Sequence, residues 1–125
     1  MIRSTLLFLC LSAVAAGAAR AEDTKAGEEL FKRKCMMCHR LSEGTKVGPG
    51  LAGVTTRRSE QWLDEWLQDP KAMVEKGDPI AVELLAKHKK VMSTVAAMQD
   101  KVNRENVIAF LKENDEKIGA AKNGN

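Results

Sequence analysis

The sequence predicts an all-α domain, a small fold of about four to five helices packed as one unit. Apolar residues recur at helical spacing in several segments that open on capping residues, and no alternating run reads as a strand. No composition break, internal repeat or long Pro/Gly/Ser linker divides the chain. Its 125 residues shorten to 104 once an expected leader of 21 is removed, enough for one domain and scarcely for two.

Residues 1–21 read as a secretory signal. Arg3 supplies the positive start, Leu6 to Ala16 form the apolar run, and Ala19-Arg20-Ala21 is an Ala-x-Ala cleavage site, so the mature chain is expected to begin at Glu22. The run is too short to span a bilayer, which needs about 20 apolar residues. Cys10 leaves with the leader, and without a small residue before it a lipoprotein reading is weak.

The first helix is expected from Thr24 as N-cap to Lys34. Glu28 and Glu29 sit early, Lys32, Arg33 and Lys34 fill the last turn as the helix dipole favours, and Ala26, Leu30 and Phe31 share an apolar face. It delivers the chain to Cys35-Met36-Met37-Cys38-His39, a Cys-x-x-Cys-His motif. That spacing suits attachment of a c-type haem: two thiols add to its vinyl groups, and the next histidine turns its imidazole toward the iron.

Three other readings compete. A redox dithiol should follow a strand in a βαβ setting, whereas the residues before Cys35 have helical periodicity. A zinc site needs further ligands, and His88 is the one other histidine. A disulfide leaves His39 unexplained. Haem attachment is the reading adopted, with a redox dithiol as its main rival. A small exported domain with one local Cys pair also lacks cross-chain disulfides, and a covalent, largely apolar haem would supplement its core.

From Arg40 to Thr56 the chain is loop-like, punctuated by Gly44, Gly48, Pro49, Gly50 and Gly53. Ser59 caps a second helix to about Gln68, with Trp62, Leu63, Trp66 and Leu67 at helical spacing, and Asp69-Pro70 ends it. Asp78-Pro79 starts another helix, followed by Ile80, Leu84 and Leu85. The last runs from near Asn103 to about Glu113, with Val107, Phe110 and Leu111 inward. The domain thus occupies residues 22–117, and the small, polar stretch 118–125 is expected to be a disordered tail.

The full chain carries 20 Lys plus Arg against 17 Asp plus Glu; without Arg3 and Arg20 the balance is 18 against 17, or +1. Nucleic-acid binding, which needs a basic face, is not expected. Two local clusters stand out: Lys32-Arg33-Lys34, and Lys87 with Lys89 and Lys90. Each alone reads as a solvated helix end; together they suggest a positive docking rim.

The mature chain resembles the class I, single-haem c-type cytochromes. The likeness runs from Ala26-Gly27-Glu28-Glu29-Leu30-Phe31 through Cys35-Met36-Met37-Cys38-His39 to Arg104-Glu105-Asn106-Val107-Ile108-Ala109-Phe110-Leu111-Lys112. It implies the small cytochrome c fold, with first and last helices crossing at Gly27, Phe31 and Phe110: glycine lets backbones approach and the rings fill the crossing. It also implies that the Pro49 carbonyl, in Val47-Gly48-Pro49-Gly50-Leu51, accepts a hydrogen bond from His39. The segment Trp62 to Pro70 resembles the family's central helix. There a tryptophan, assigned to Trp62, would donate its indole N–H toward a haem propionate, with Arg57 or Arg58 pairing with the same carboxylates; plain core packing is the alternative.

The family's sixth iron ligand is a methionine from a loop before the last helix, a soft neutral donor that favours reduced iron. Met73, Met92 and Met98 are the candidates. Met92 lies, slightly offset, where the resemblance places the ligand and is chosen; Met98, at a position of core aliphatic character, is the runner-up. Ser93 replaces the proline of the usual Met-Pro pair. Were both methionines core residues, His88 or an open site would remain.

The reading is therefore an exported, periplasmic one-electron carrier, a monomer with one covalent haem c held by Cys35 and Cys38 and ligated by His39 and Met92. Its partners are expected to be redox proteins with an acidic docking face. Two alternatives need an open or displaceable sixth position: the haem subunit of a periplasmic redox enzyme of sulfur or peroxide chemistry, and a haem sensor of small ligands.

Overall fold

The computed structural model describes residues 21–123, and within them the chain is helical, with one isolated bridge between Thr45 and Pro49. The expected leader, apart from Ala21, lies outside the described residues. Six α-helices follow in order: α1 Thr24–Lys34, α2 Val54–Arg57, α3 Glu60–Gln68, α4 Pro70–Glu75, α5 Pro79–His88 and α6 Lys101–Asn123, with a 3₁₀ turn at Ala96–Gln99 before α6.

Local chemistry explains most of these boundaries. Helix α1 is capped one residue earlier than expected, because the Asp23 carboxylate accepts from Ala26 N–H at 3.0 Å. Ser59 caps α3 by accepting from Trp62 N–H at 3.1 Å. Asp69 closes α3 and also accepts from Ala72 N–H, with Pro70 in the first turn of α4. Asp69-Pro70, expected only as a stop, thus also starts a helix that was not expected, α4. Nor was α2 expected, a single turn inside the loop-like stretch. Asp78 repeats the capping device for α5, accepting from Ala81 N–H at 2.9 Å. That helix ends at Lys89 in the left-handed region, φ 57°.

The last helix departs most from expectation. It starts at Lys101 and runs to Asn123, so residues 118–123, assigned to a disordered tail, continue the helix. Side chains on its last turns are tied to the loop after His39, a restraint that apolar periodicity does not record.

The core forms where α1 crosses α6. A Cβ on Gly27 would stand 2.0 Å from the Asn106 carbonyl oxygen, so only glycine permits this approach. Phe31 and Phe110 meet beside it, ring centroids 5.6 Å apart and planes tilted by 51°. Phe31, Met98, Val107 and Leu111 make the buried centre, and Cys35, Leu41, Leu51, Leu67 and Val95 pack around it half-exposed. Asn106 Oδ1 accepts from Asp23 N–H at 2.8 Å, joining the start of α1 to α6.

A second tie sets the height of the segment before α6. Buried Arg104 donates from Nε to Asp64 of α3 at 2.7 Å and from Nη1 to the carbonyls of Met98 and Gln99. The guanidinium thus bridges α3, the 3₁₀ turn and α6 with its charge paired.

Candidate functional site

The site is built on the turn that ends α1. Cys35 caps that helix, its N–H donating to Phe31 O at 2.8 Å, and its carbonyl then accepts from Cys38 N–H at 3.0 Å and His39 N–H at 2.9 Å. One tight turn thereby carries both thiols and the imidazole. Cys35 is half-buried, Cys38 is exposed, and neither is in a disulfide. Burial, and then the neighbouring Cys38, push the Cys35 thiol above its ordinary range.

His39 is held by the loop that follows it. Its Nδ1 lies 2.8 Å from the Pro49 carbonyl oxygen, which can only accept, so Nδ1 carries a proton and Nε2 is the ring nitrogen outside this bond. Val47 and Gly48 N–H both donate to Cys38 O, at 3.2 and 2.8 Å, and Leu51 N–H donates to Arg40 O at 2.9 Å. Lys46 Nζ reaches across to Met36 O at 2.8 Å. A cleft of about 440 Å³ opens beside this turn, lined by Met36, His39, Arg40, Leu41, Ser42 and Lys46. Another, of about 380 Å³, lies between α2, α3 and α6, away from the cysteines.

The two methionines considered as ligands have different surroundings. Met92 lies in the non-helical stretch between α5 and the 3₁₀ turn, half-buried, and comes near His39. Met98 is fully enclosed in the core with Phe31, Val107 and Leu111. Met73 is likewise buried in α4. His88 sits half-buried in the last turn of α5. Among the described residues no three His, Cys, Asp or Glu side chains gather to hold a metal ion.

Trp62 is placed differently from the expectation. Its indole N–H donates to Asp78 Oδ1 at 3.1 Å, its ring stacks on Trp66 with centroids 5.2 Å apart, and Arg58 lies over it at 5.7 Å. The proton expected to reach a propionate is engaged by the cap of α5. Arg57 donates to the Ala52 carbonyl. The backbone N–H of Ala81 and then this indole hold the Asp78 carboxyl below its ordinary range.

The donor set fits a covalently attached haem. Two unbridged thiols and an imidazole with Nε2 available share one turn, a soft thioether lies near, and half-exposed Leu41, Leu51, Leu67 and Val95 offer apolar surface. Residues that motif reading passed over also shape the site: Gly48, whose missing side chain admits the imidazole, and Asn114 and Asp115, which reach the same loop from α6. Gly48 had a signal in the Gly-Pro-Gly run, whereas Asn114 and Asp115 had none.

Comparison with known proteins agrees with this geometry. The family model for cytochrome c matches residues 24–115. Cytochrome c2 of Rhodospirillum rubrum is 33% identical across 80% of this chain and 87% of its own length. Cytochrome c2 of Rhodopseudomonas palustris is 43% identical, but over 47% of this chain and 44% of its own, so the match spans under half of that relative. Among solved structures, a cytochrome c from Rhodothermus marinus superposes with a TM-score of 0.69 at 26% identity, covering 75% of this chain and 78% of that one. The cytochrome c domain of a Pseudomonas putida protein gives 0.66 at 25% identity, covering 78% and 95%.

Proposed function

This chain belongs to the cytochrome c family, whose cofactor is covalently bound haem c, and from that premise we propose that it is an exported one-electron carrier with iron held between His39 and Met92. The observation that carries the proposal is the 2.8 Å hydrogen bond from His39 Nδ1–H to Pro49 O. It fixes the tautomer and turns Nε2 into the available donor, the restraint that a metal-bound imidazole needs.

Each residue then has a distinct task. Cys35 and Cys38 would hold the haem through thioether links to its vinyl groups. His39 would offer Nε2 to the iron, and Met92 would offer a soft, neutral sulfur. The haem, when bound, supplies the one-electron couple. The α1–α6 crossing and the Arg104–Asp64 tie keep the two ligand-bearing segments in place, so little has to move as charge changes. Trp62 supports this frame through its bond to Asp78.

Export is supported by the leader-like residues 1–21, and no helix among the described residues is long and apolar enough to cross a membrane. The likeness to cytochromes c2 and c favours an electron-transfer protein over an enzyme. Basic side chains at the ends of α1 and α5 form the rim that would meet an acidic redox partner, with the chain acting as a monomer.

Two measurements on secreted protein test the proposal. Intact mass should equal the chain from Glu22 plus one haem, and the oxidised protein should show the weak long-wavelength band of methionine–iron ligation. A haem-free chain would overturn the central claim, and a five-coordinate spectrum would favour a redox-enzyme subunit or ligand sensor.

A further inference from the structure

Asn114 and Asp115 lie just beyond the end that apolar periodicity assigns to α6, and both reach back to the loop on the histidine side. Asn114 Nδ2 donates to Leu41 O at 3.2 Å, two residues after His39. Asp115 is buried and accepts three hydrogen bonds: from Gly53 N–H at 2.6 Å, Thr55 N–H at 2.9 Å and the Thr55 hydroxyl at 2.7 Å. The carboxylate therefore caps α2 from another helix, at a point where Gly53, φ 72°, has no side chain to do so. An exposed ion pair between Lys122 and Glu43, 3.0 Å, lies farther along the same helix. The stretch between Leu41 and Gly53 contains Gly48, which touches the imidazole, and Pro49, which fixes its proton.

We propose that Asn114 and Asp115 form a clamp that orients His39 by fixing both ends of the 41–53 loop. This rests on the reading of His39 as the iron ligand. A loop with both ends tied retains fewer conformations, so the Pro49 carbonyl stays where the imidazole proton needs it. Four-residue α2 is too short to hold that end itself, whereas the Asp115 side-chain oxygens accept three hydrogen bonds from Gly53 and Thr55 there. Lys122–Glu43, solvent-exposed, adds little. Asn114 and Asp115 are positioning residues: they touch the loop, and the loop touches the ligand.

The test uses the haem-loaded protein and the variants Asn114→Ala, Asp115→Ala, Asp115→Asn and Lys122→Ala. Hydrogen exchange would be followed at the Val47, Gly48 and Leu51 amides, at α1 amides and at the His39 Nδ1 proton, with the reduction potential measured alongside. Asp115→Ala should speed exchange at the three loop amides and the ring proton by about tenfold or more relative to α1, and shift the potential. Asn114→Ala should act in the same direction, and Lys122→Ala should change little. Asp115→Asn keeps the size and one acceptor, so it should fall between wild type and Ala, and it decides the matter if the Ala variant fails to take up haem. Faster exchange confined to Gly53 and Thr55, with the ring proton and potential unchanged, would reduce Asp115 to a helix cap and overturn the clamp. Equal acceleration of loop and α1 would also overturn it, showing general destabilisation. Histidine ligation is read separately from the wild-type spectrum; its absence would remove the ligand assignment, while loop and ring-proton exchange would still decide whether the clamp fixes the Pro49–His39 bond.

Discussion

Gly48 lies so close to His39 that a Cβ built on it would stand 2.5 Å from ring Cε1 and 3.0 Å from Nδ1. The glycine is required here by contact with the ring rather than by its own backbone angles. Its N–H donates to Cys38 O while the next residue's carbonyl takes the ring proton, so one dipeptide fixes the imidazole by both contact and hydrogen bonding.

Gly48→Ala should therefore disturb the histidine before it disturbs the fold. Overpacking of this kind typically costs about 1–3 kcal/mol, and the ring or the loop must shift to relieve it. A lower thermal midpoint of the haem-loaded protein, together with a changed absorbance of the iron–histidine centre, is the expected pair of results. An unchanged spectrum would mean that the loop gives way and the ring does not.

The parts of this arrangement that sequence made legible are those encoded by neighbours along the chain. Cys35, Cys38 and His39 announce their chemistry by spacing, Ser59 and Asp78 by capping, and Gly27 with Phe31 and Phe110 by resemblance to a helix crossing. What was not legible depends on partners distant in sequence. The indole of Trp62 finds Asp78 across a helix pair, and Asp115 finds Gly53 and Thr55 from the far end of the domain. Neither contact could be read from periodicity, which is equally silent on the helical course of residues 118–123. Helix α4 was hidden for another reason: Asp69-Pro70 has the same chemistry as a stop and as a start.

The Asp78 contacts predict a component of stability that acid removes. The folded-state carboxyl is held below its ordinary value of 3.8, first by Ala81 N–H and next by the Trp62 indole. A lowered folded-state value means the contribution is fully present above the unfolded chain's carboxyl range and is lost as pH falls through the folded value. Asp78→Asn should flatten the stability profile in that acidic window, with tryptophan fluorescence reporting the release of the indole. Parallel profiles for the two proteins would show that the cap adds no pH-dependent stability.

Docking should depend on salt. Within the α1 cluster Lys32 is engaged by Glu28 at 2.9 Å, leaving Arg33 and Lys34 as the outward charges on that side; Lys87, Lys89 and Lys90 are exposed at the end of α5. Association with an acidic redox partner should slow as ionic strength rises, since screening acts over about 8 Å at physiological salt. Reversing charge at Lys34 and Lys90 together should slow it further at low salt and matter little at high salt. Rates independent of salt with the native partner would remove the basic rim from the mechanism.

Met92 and Met98 should separate cleanly under substitution, because their surroundings differ so much. Met98 is fully buried against Phe31, Val107 and Leu111, and its carbonyl, not its sulfur, is held by Arg104. Met98→Ala should cost roughly 2–5 kcal/mol through the cavity it leaves, while the methionine–iron band persists. Met92 lies half-buried in a non-helical segment near His39, and its removal leaves the core cluster complete. Met92→Ala should abolish the band, lower the reduction potential and admit small ligands to the iron, because the soft axial donor goes while His39 and both thioether links remain. Loss of the band on Met98→Ala alone would transfer the ligand to the core methionine and require the 3₁₀ turn to open when haem is bound. A methionine–iron band unaffected by either change would take the ligand away from both Met92 and Met98 and pass it to Met73, the remaining candidate, whereas absence of the band from the unsubstituted protein would exclude methionine ligation and with it the simple carrier.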